Sequence, residues 1–179
     1  MFDTFKTKAE AVSSEVHRFA KKSEAVDFIT GFLRKEGVQD APGCYAAWAD
    51  SGILAGVDTK KIAGQVPGLT FDVDRDKAAS TRIGISQADF GLANTGTLVQ
   101  DSTKVEQRLV STLSEIHVAI LNTGSILPDL PALFSRLRPP QASYLAFITG
   151  PSRTADIERV LTIGVHGPER LVIVCVDEG

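Results

Sequence analysis

Two unbroken apolar runs in the last fifth of the chain constrain its fold most. They are residues 144–148, Tyr-Leu-Ala-Phe-Ile, and residues 171–176, Leu-Val-Ile-Val-Cys-Val. Short apolar runs without polar alternation suit strands covered on both faces, as in parallel sheets. Thr149-Gly150-Pro151-Ser152 breaks the chain after the first run, because Pro151 has no N–H to give a ladder and Gly150 lets the backbone approach closely. Ser152 or Thr154 then suits a helix cap, with Asp156 and Glu158 in the first turn. Ile157, Val160, Leu161 and Val165 recur on one helical side, and Gly164 suits the stop. His166-Gly167-Pro168 turns the chain into the second run. The spacing predicts a strand–helix–strand crossover over 143–177, the repeating unit of a parallel sheet.

A strand end facing a helix N-terminus is where α/β proteins bind ligands and where anions are favoured. Arg153 falls in that turn and His166 in the turn at the far end of the same predicted helix. A guanidinium there can grip a carboxylate or phosphate through two parallel hydrogen bonds. A rival reading makes Arg153 a clamp on Asp156 or Asp89. The glycines and prolines, taken singly, also suit plain turns.

The chain has 179 residues, enough for a sizeable core, and predicts one domain over 1–179. Lys and Arg total 19 against 22 Asp and Glu, giving a net charge of −3, and no basic run offers a phosphate-tracking patch. General nucleic-acid binding is therefore not expected. Cys44 and Cys175 are the only cysteines and lie far apart, so no four-ligand set for zinc or an iron–sulfur cluster is expected, nor any bound cofactor. Cys175, inside an apolar run, reads as core. No apolar stretch reaches membrane-spanning length and no signal-peptide core opens the chain, so the expected location is cytoplasmic.

Residues 1–36 read as two helices. Phe2, Phe5, Ala9, Val12, Val16 and Phe19 recur at three- and four-residue steps, and Ser23 caps a second stripe of Ala25, Val26, Ile29, Phe32 and Leu33 that Gly37 closes. Both stripes suit covering a sheet; the first also suits a free arm that docks a partner. His17 reads as a surface residue. Residues 44–49 suit a short strand carrying Trp48, and 71–74 either a strand or an acidic loop. Asp72, Asp74 and Asp76 lack the glycine and terminal Glu of a calcium loop, so a solvated acidic face is expected. Residues 83–86 read as a strand end and 88–93 as a helical turn. Residues 109–113 suit a helix, 116–121 a buried strand with His117 as a structural residue, and 129–137 a helix stopped by Pro139 and Pro140.

Asn94-Thr95-Gly96-Thr97 offers hydroxyls on a permissive backbone, suited either to a carboxylate or phosphate or to a tight hairpin turn. Together with the C-terminal turn it makes a candidate ligand-binding set: Asn94, Thr95, Gly96, Thr97, Thr149, Gly150, Ser152, Arg153, Thr154, Asp156 and His166. No dinucleotide fingerprint, P-loop, Gly-x-Ser-x-Gly elbow or zinc-protease helix is present.

The runs from Thr149 to Glu158 and from Gly164 to Pro168, with Gly84-Ile-Ser-Gln-Ala-Asp89, Thr95-Gly-Thr-Leu98 and Glu115-Ile-His-Val-Ala119, resemble the LUD-domain family over roughly residues 80–177. The resemblance implies a Rossmann-like α/β fold, a mostly parallel sheet with helices on both faces, kin to phosphosugar isomerases and CoA transferases. It implies a non-redox subunit or accessory protein of an L-lactate-oxidising system, not catalytic alone, whose iron–sulfur clusters reside on partner subunits. The candidate set would then hold a small anionic ligand or a partner. The family commonly has Glu where this chain has Asn94, and an amide can be neither general base nor carboxylate nucleophile. A stand-alone CoA transferase-like or phosphosugar isomerase-like enzyme, and an anion- or nucleotide-binding regulatory module, are the alternatives.

Overall fold

The computed structural model describes residues 1–137, 144–155, 161–163 and 166–178. In chain order, α1 (Phe2–Ala11) leads to β1 (Ser14–Phe19) and α2 (Lys22–Lys35). Then come β2 (Tyr45–Trp48), α3 (Thr59–Gln65), β3 (Leu69–Thr70), α4 (Arg75–Ala79) and β4 (Thr81–Ala88). The middle holds β5 (Phe90–Leu92), β6 (Thr97–Asp101), α5 (Val105–Thr112), β7 (Ile116–Asn122), β8 (Ile126–Leu127) and α6 (Leu130–Arg136). The last elements are β9 (Leu145–Ile148), β10 (Arg153–Ala155), β11 (Leu161–Ile163) and β12 (Arg170–Val176).

Six strands form one sheet in the order β1-β12-β7-β4-β2-β3, and each neighbouring pair in it is parallel. The central strands β7 and β12 are mostly apolar, and the period of two splits their side chains between two cores. Val118 and Ile120 of β7 and Val172, Val174 and Val176 of β12 face α2 and α3. Ala119, Leu121, Leu171, Ile173 and Cys175 point the other way, toward Phe5 and Ala9 of α1 and Leu98 of β6. Val110 of α5 packs on Ala47 and Ala49 at the end of β2. The sheet is thus covered on both faces, which is why β7 and β12 read as nearly continuous apolar runs. A second sheet, β8-β5-β6-β9, lies over part of the second face.

Three expectations from sequence are corrected. Residues 1–36 are helix, strand, helix rather than two helices. The helical stripe ends at Val12, Ser13 takes a positive φ of 70°, and β1 runs parallel to β12 with Val16 opposite Ile173. Val16 and Phe19 fit the three-and-four spacing by coincidence; the burial of Ser14 and Val16 on alternate positions is that of a strand. Nor is the first helix a free arm, because Phe5 and Ala9 are fully buried. Burying a phenylalanine side chain is worth roughly 1.5–3 kcal/mol, enough to hold a three-turn helix down.

The predicted crossover over 143–177 is also not formed. β9 pairs antiparallel to β6 in the second sheet and is only half-buried. The segment expected to be helical contains β10 and β11, paired antiparallel with Thr154 opposite Thr162. β-branched Thr154, Thr162 and Ile163 favour that ladder over a helix. Ile157, Glu158, Val160, Gly164 and Val165, on which the helical stripe rested, lie outside the described residues. Third, the expected helical turn over 88–93 is strand β5, which forms a hairpin with β6.

Candidate functional site

The structure gathers much of the candidate set at one corner. The β5–β6 hairpin carries Asn94, Thr95, Gly96 and Thr97 to the junction of α1 and β1, where the end of β9 brings Thr149 and Gly150. Thr97 Oγ1 lies 2.8 Å from both Thr95 Oγ1 and Thr149 Oγ1, so the three hydroxyls form a chain. Gly96 has φ of 68°, and a Cβ on it would stand 2.3 Å from the Ala9 nitrogen. Gly150 has φ of 78°, and a Cβ there would stand 2.5 Å from the Val12 carbonyl oxygen. Only glycine fits either place. Arg153 donates to the Val12 carbonyl and to Ser13 Oγ, clasping the α1–β1 turn rather than Asp89. Ser152 gives its N–H to the Pro168 carbonyl at 2.8 Å, which ties it to the turn carrying exposed His166. Thr154 lies in β10 and Asp156 outside the described residues. The helix N-terminus invoked to attract an anion to this corner is replaced by a strand. The exposed polar groups left there are Asn94, Thr95, Thr149 and Arg153.

A second place is set by topology. From β2 the chain moves outward to β3, then returns to lay β4 on the other side of β2 and proceeds to β7 and β12. The strand order therefore reverses between β2 and β4, and open α/β sheets hold ligands in the crevice beyond the carboxyl ends of such a pair. A cleft of about 250 Å³ opens there, lined by Asp50, Ser51, Gly52, Gln87, Asp89, Asp101, Thr103, Lys104 and Gln107. A neighbouring recess shares Asp50, Ser51, Gly52 and Lys104 and runs to Trp48 and Phe71, whose rings stack at 5.8 Å.

Each cleft residue is placed by a nearby element. Asp50 follows β2, and Asp89 joins β4 to β5. Asp89 Oδ2 accepts the Asp101 N–H at 2.6 Å, which seams the two sheets. Desolvation by these walls pushes the Asp89 carboxyl above its usual range; the hydrogen bond from Asp101 opposes this and the Asp101 charge adds to it. Lys104 reaches Asp50 Oδ2 at 3.3 Å, a largely exposed pair.

Beneath the cleft runs a buried polar chain. Gln100 donates Nε2 to Ser102 Oγ and to the Gln107 carbonyl, which turns its Oε1 to the Ser86 hydroxyl at 2.8 Å. Ser86 has spent its only proton, so its oxygen accepts from His117 Nε2 at 2.7 Å. His117 is thus the Nε2–H tautomer, and its Nδ1 has no partner among the described residues. Gln107 extends the chain, giving Nε2 to the Asp50 carbonyl at 2.7 Å.

The sequence-level set missed this cleft. Gln87 and Asp89 fall inside the Gly84–Asp89 motif, but Asp50, Asp101, Lys104 and Gln107 carry no motif. The only signal at Asp50 and Asp101 is an acid at the carboxyl end of a strand, which becomes informative once strand order is known. Among the described residues no group of three or more His, Cys, Asp or Glu could hold a metal ion, and no helix is long and apolar enough to cross a membrane.

Fold and cleft together define an α/β domain with a parallel sheet and a crevice at its switch point. The chain belongs to the LUD domain family, which matches it over residues 2–176. It is 37% identical over 109 residues to "Lactate utilization protein C" of Halalkalibacterium halodurans, covering 58% of this chain and 47% of that one. The protein of the same name from Bacillus subtilis is 36% identical over 108 residues, covering 57% and 45%. "Uncharacterized protein YkgG" of Escherichia coli is 34% identical over 108 residues, covering 57% and 47%. The matches span about half the length of these relatives. The crystal structure of a DUF162 family protein from Deinococcus radiodurans has the same fold, with a TM-score of 0.66 at 16% identity over 98% of this chain and 95% of that one.

Proposed function

We propose that this chain serves L-lactate utilisation as a non-redox component that works beside iron–sulfur partners. The observation that carries the reading is the 37% identity to a relative named for lactate utilisation. Oxidation of lactate to pyruvate removes two electrons, which need an acceptor. Two cysteines in the whole sequence are too few for a four-cysteine cluster. Cys175 is buried in β12, and burial pushes its thiol up to about 12, far from the thiolate a metal requires. In this reading the electrons pass to the iron–sulfur partners.

In this reading the corner of Asn94, Thr95, Thr149 and Arg153 meets a small anion or an acidic group of a partner. Exposed hydroxyls beside a guanidinium support it, since such a set matches a carboxylate or phosphate. The chain, tagged and captured from its own organism grown on L-lactate, is expected to bring down proteins carrying stoichiometric iron and acid-labile sulfide. Capture without iron would overturn the partnership.

A further inference from the structure

We infer that the switch-point cleft takes a small ligand rich in hydrogen-bond donors, a polyol or a protonated amine, in preference to a carboxylate or phosphate. The site is separate from the polar corner and independent of the role proposed for it. Two observations carry the inference.

The first is charge. Asp50, Asp89 and Asp101 face the cleft against Lys104, the one cation among the described residues that line it, which already lies 3.3 Å from Asp50. The N-terminus of α5 opens at the same rim, and a helix end contributes at most about half a positive charge. The carboxylates outweigh both, so an added anion meets net repulsion in a partly desolvated space.

The second observation is an acceptor without a donor. Gln107 lines the cleft and is only 8% exposed. Its amide orientation is fixed, because a flipped amide would set Oε1 against the Asp50 carbonyl that Nε2 now serves. Oε1 is buried and has no partner among the described residues. A buried acceptor in that state calls for a donor, which a ligand N–H or O–H in the cleft would supply. Gln87 adds to the surplus, since its Oε1 holds only the Ile53 N–H at a long 3.4 Å. The cleft therefore presents carboxylates and amide oxygens to its occupant. Its volume equals about eight waters' share of liquid, which suits a short polyol or diamine.

The test titrates the whole chain separately with erythritol, putrescine, L-lactate and inorganic phosphate, following the Gln107 side-chain amide and the Asp101 backbone amide by NMR. Saturable shifts with erythritol, or with putrescine, would support the inference and say whether the donors belong to a polyol or an amine. L-Lactate and phosphate are expected to bind these positions at least about tenfold more weakly. Asp101→Asn is expected to weaken the bound probe by about tenfold, the loss typical of one charge-assisted hydrogen bond. Asp50→Asn provides a second variant whose fold is not at risk, because its side chain is 84% exposed. It should also weaken a bound putrescine. The inference is overturned if neither donor probe saturates, if lactate or phosphate binds more tightly, or if both variants bind the probe as the wild type does.

Discussion

His117 sits at the centre of the sheet with a neutral imidazole, held in one tautomer by the order of donors around Ser86. Complete burial pushes its pKa down to about 4 from an ordinary 6.5. Below pH 6.5 the unfolded chain takes up a proton at this residue that the folded chain refuses until about pH 4. Its neutral form thus supports the fold fully above pH 6.5, and that support fades as pH falls toward 4. The difference amounts to roughly 3 kcal/mol. Urea unfolding of wild type and His117→Leu between pH 7 and pH 4 should show the variant losing less stability by about that amount; parallel profiles would contradict the assignment. The sequence alone reads His117 correctly as a structural residue, because it stands within an apolar run. Its partners Ser86 and Gln100 were not legible, since they come from strands 31 and 17 residues away whose pairing no local pattern announces.

At the scale of elements, the inner strands β7 and β12 were the most legible part and the C-terminal crossover the least. β7 and β12 are covered on both faces and so appear as nearly unbroken apolar runs, whereas Arg82, Ser86 and Gln87 interrupt β4. Ile157, Val160, Leu161 and Val165 recur at helical spacing in the sequence, and only the pairing of β10 with β11 shows that 153–155 and 161–163 are strands. The α1–β1 junction hides in the same way, since one positive-φ serine divides a stripe that looks continuous. What the sequence did offer was Gly96, whose reason is tertiary. α1 backbone crosses within van der Waals distance of the β5–β6 turn, so a methyl group cannot be admitted. Gly96→Ala should lower stability by at least about 2 kcal/mol in urea unfolding, from left-handed backbone strain plus the contact with Ala9. A neutral outcome would mean that α1 does not rest on this hairpin.

For the whole molecule, the consequence of the strand order is that two polar regions occupy opposite ends of strand β6. Thr97 begins it at the corner beside α1, and Asp101 ends it at the switch-point cleft. The sequence marked the first region through its glycines and hydroxyls. The second arises only when β2 and β4 become neighbours, so no spacing along the chain could have revealed it. The first region belongs to the role proposed for this LUD domain protein in L-lactate utilisation; the second is independent of it. The most direct test is the rate at which L-lactate disappears from cultures of the source organism after deletion of the encoding gene, with and without the wild-type chain restored. The account predicts that deletion removes most of the L-lactate consumption and that the restored chain brings it back. Consumption at the parental rate in the deletion strain would contradict it.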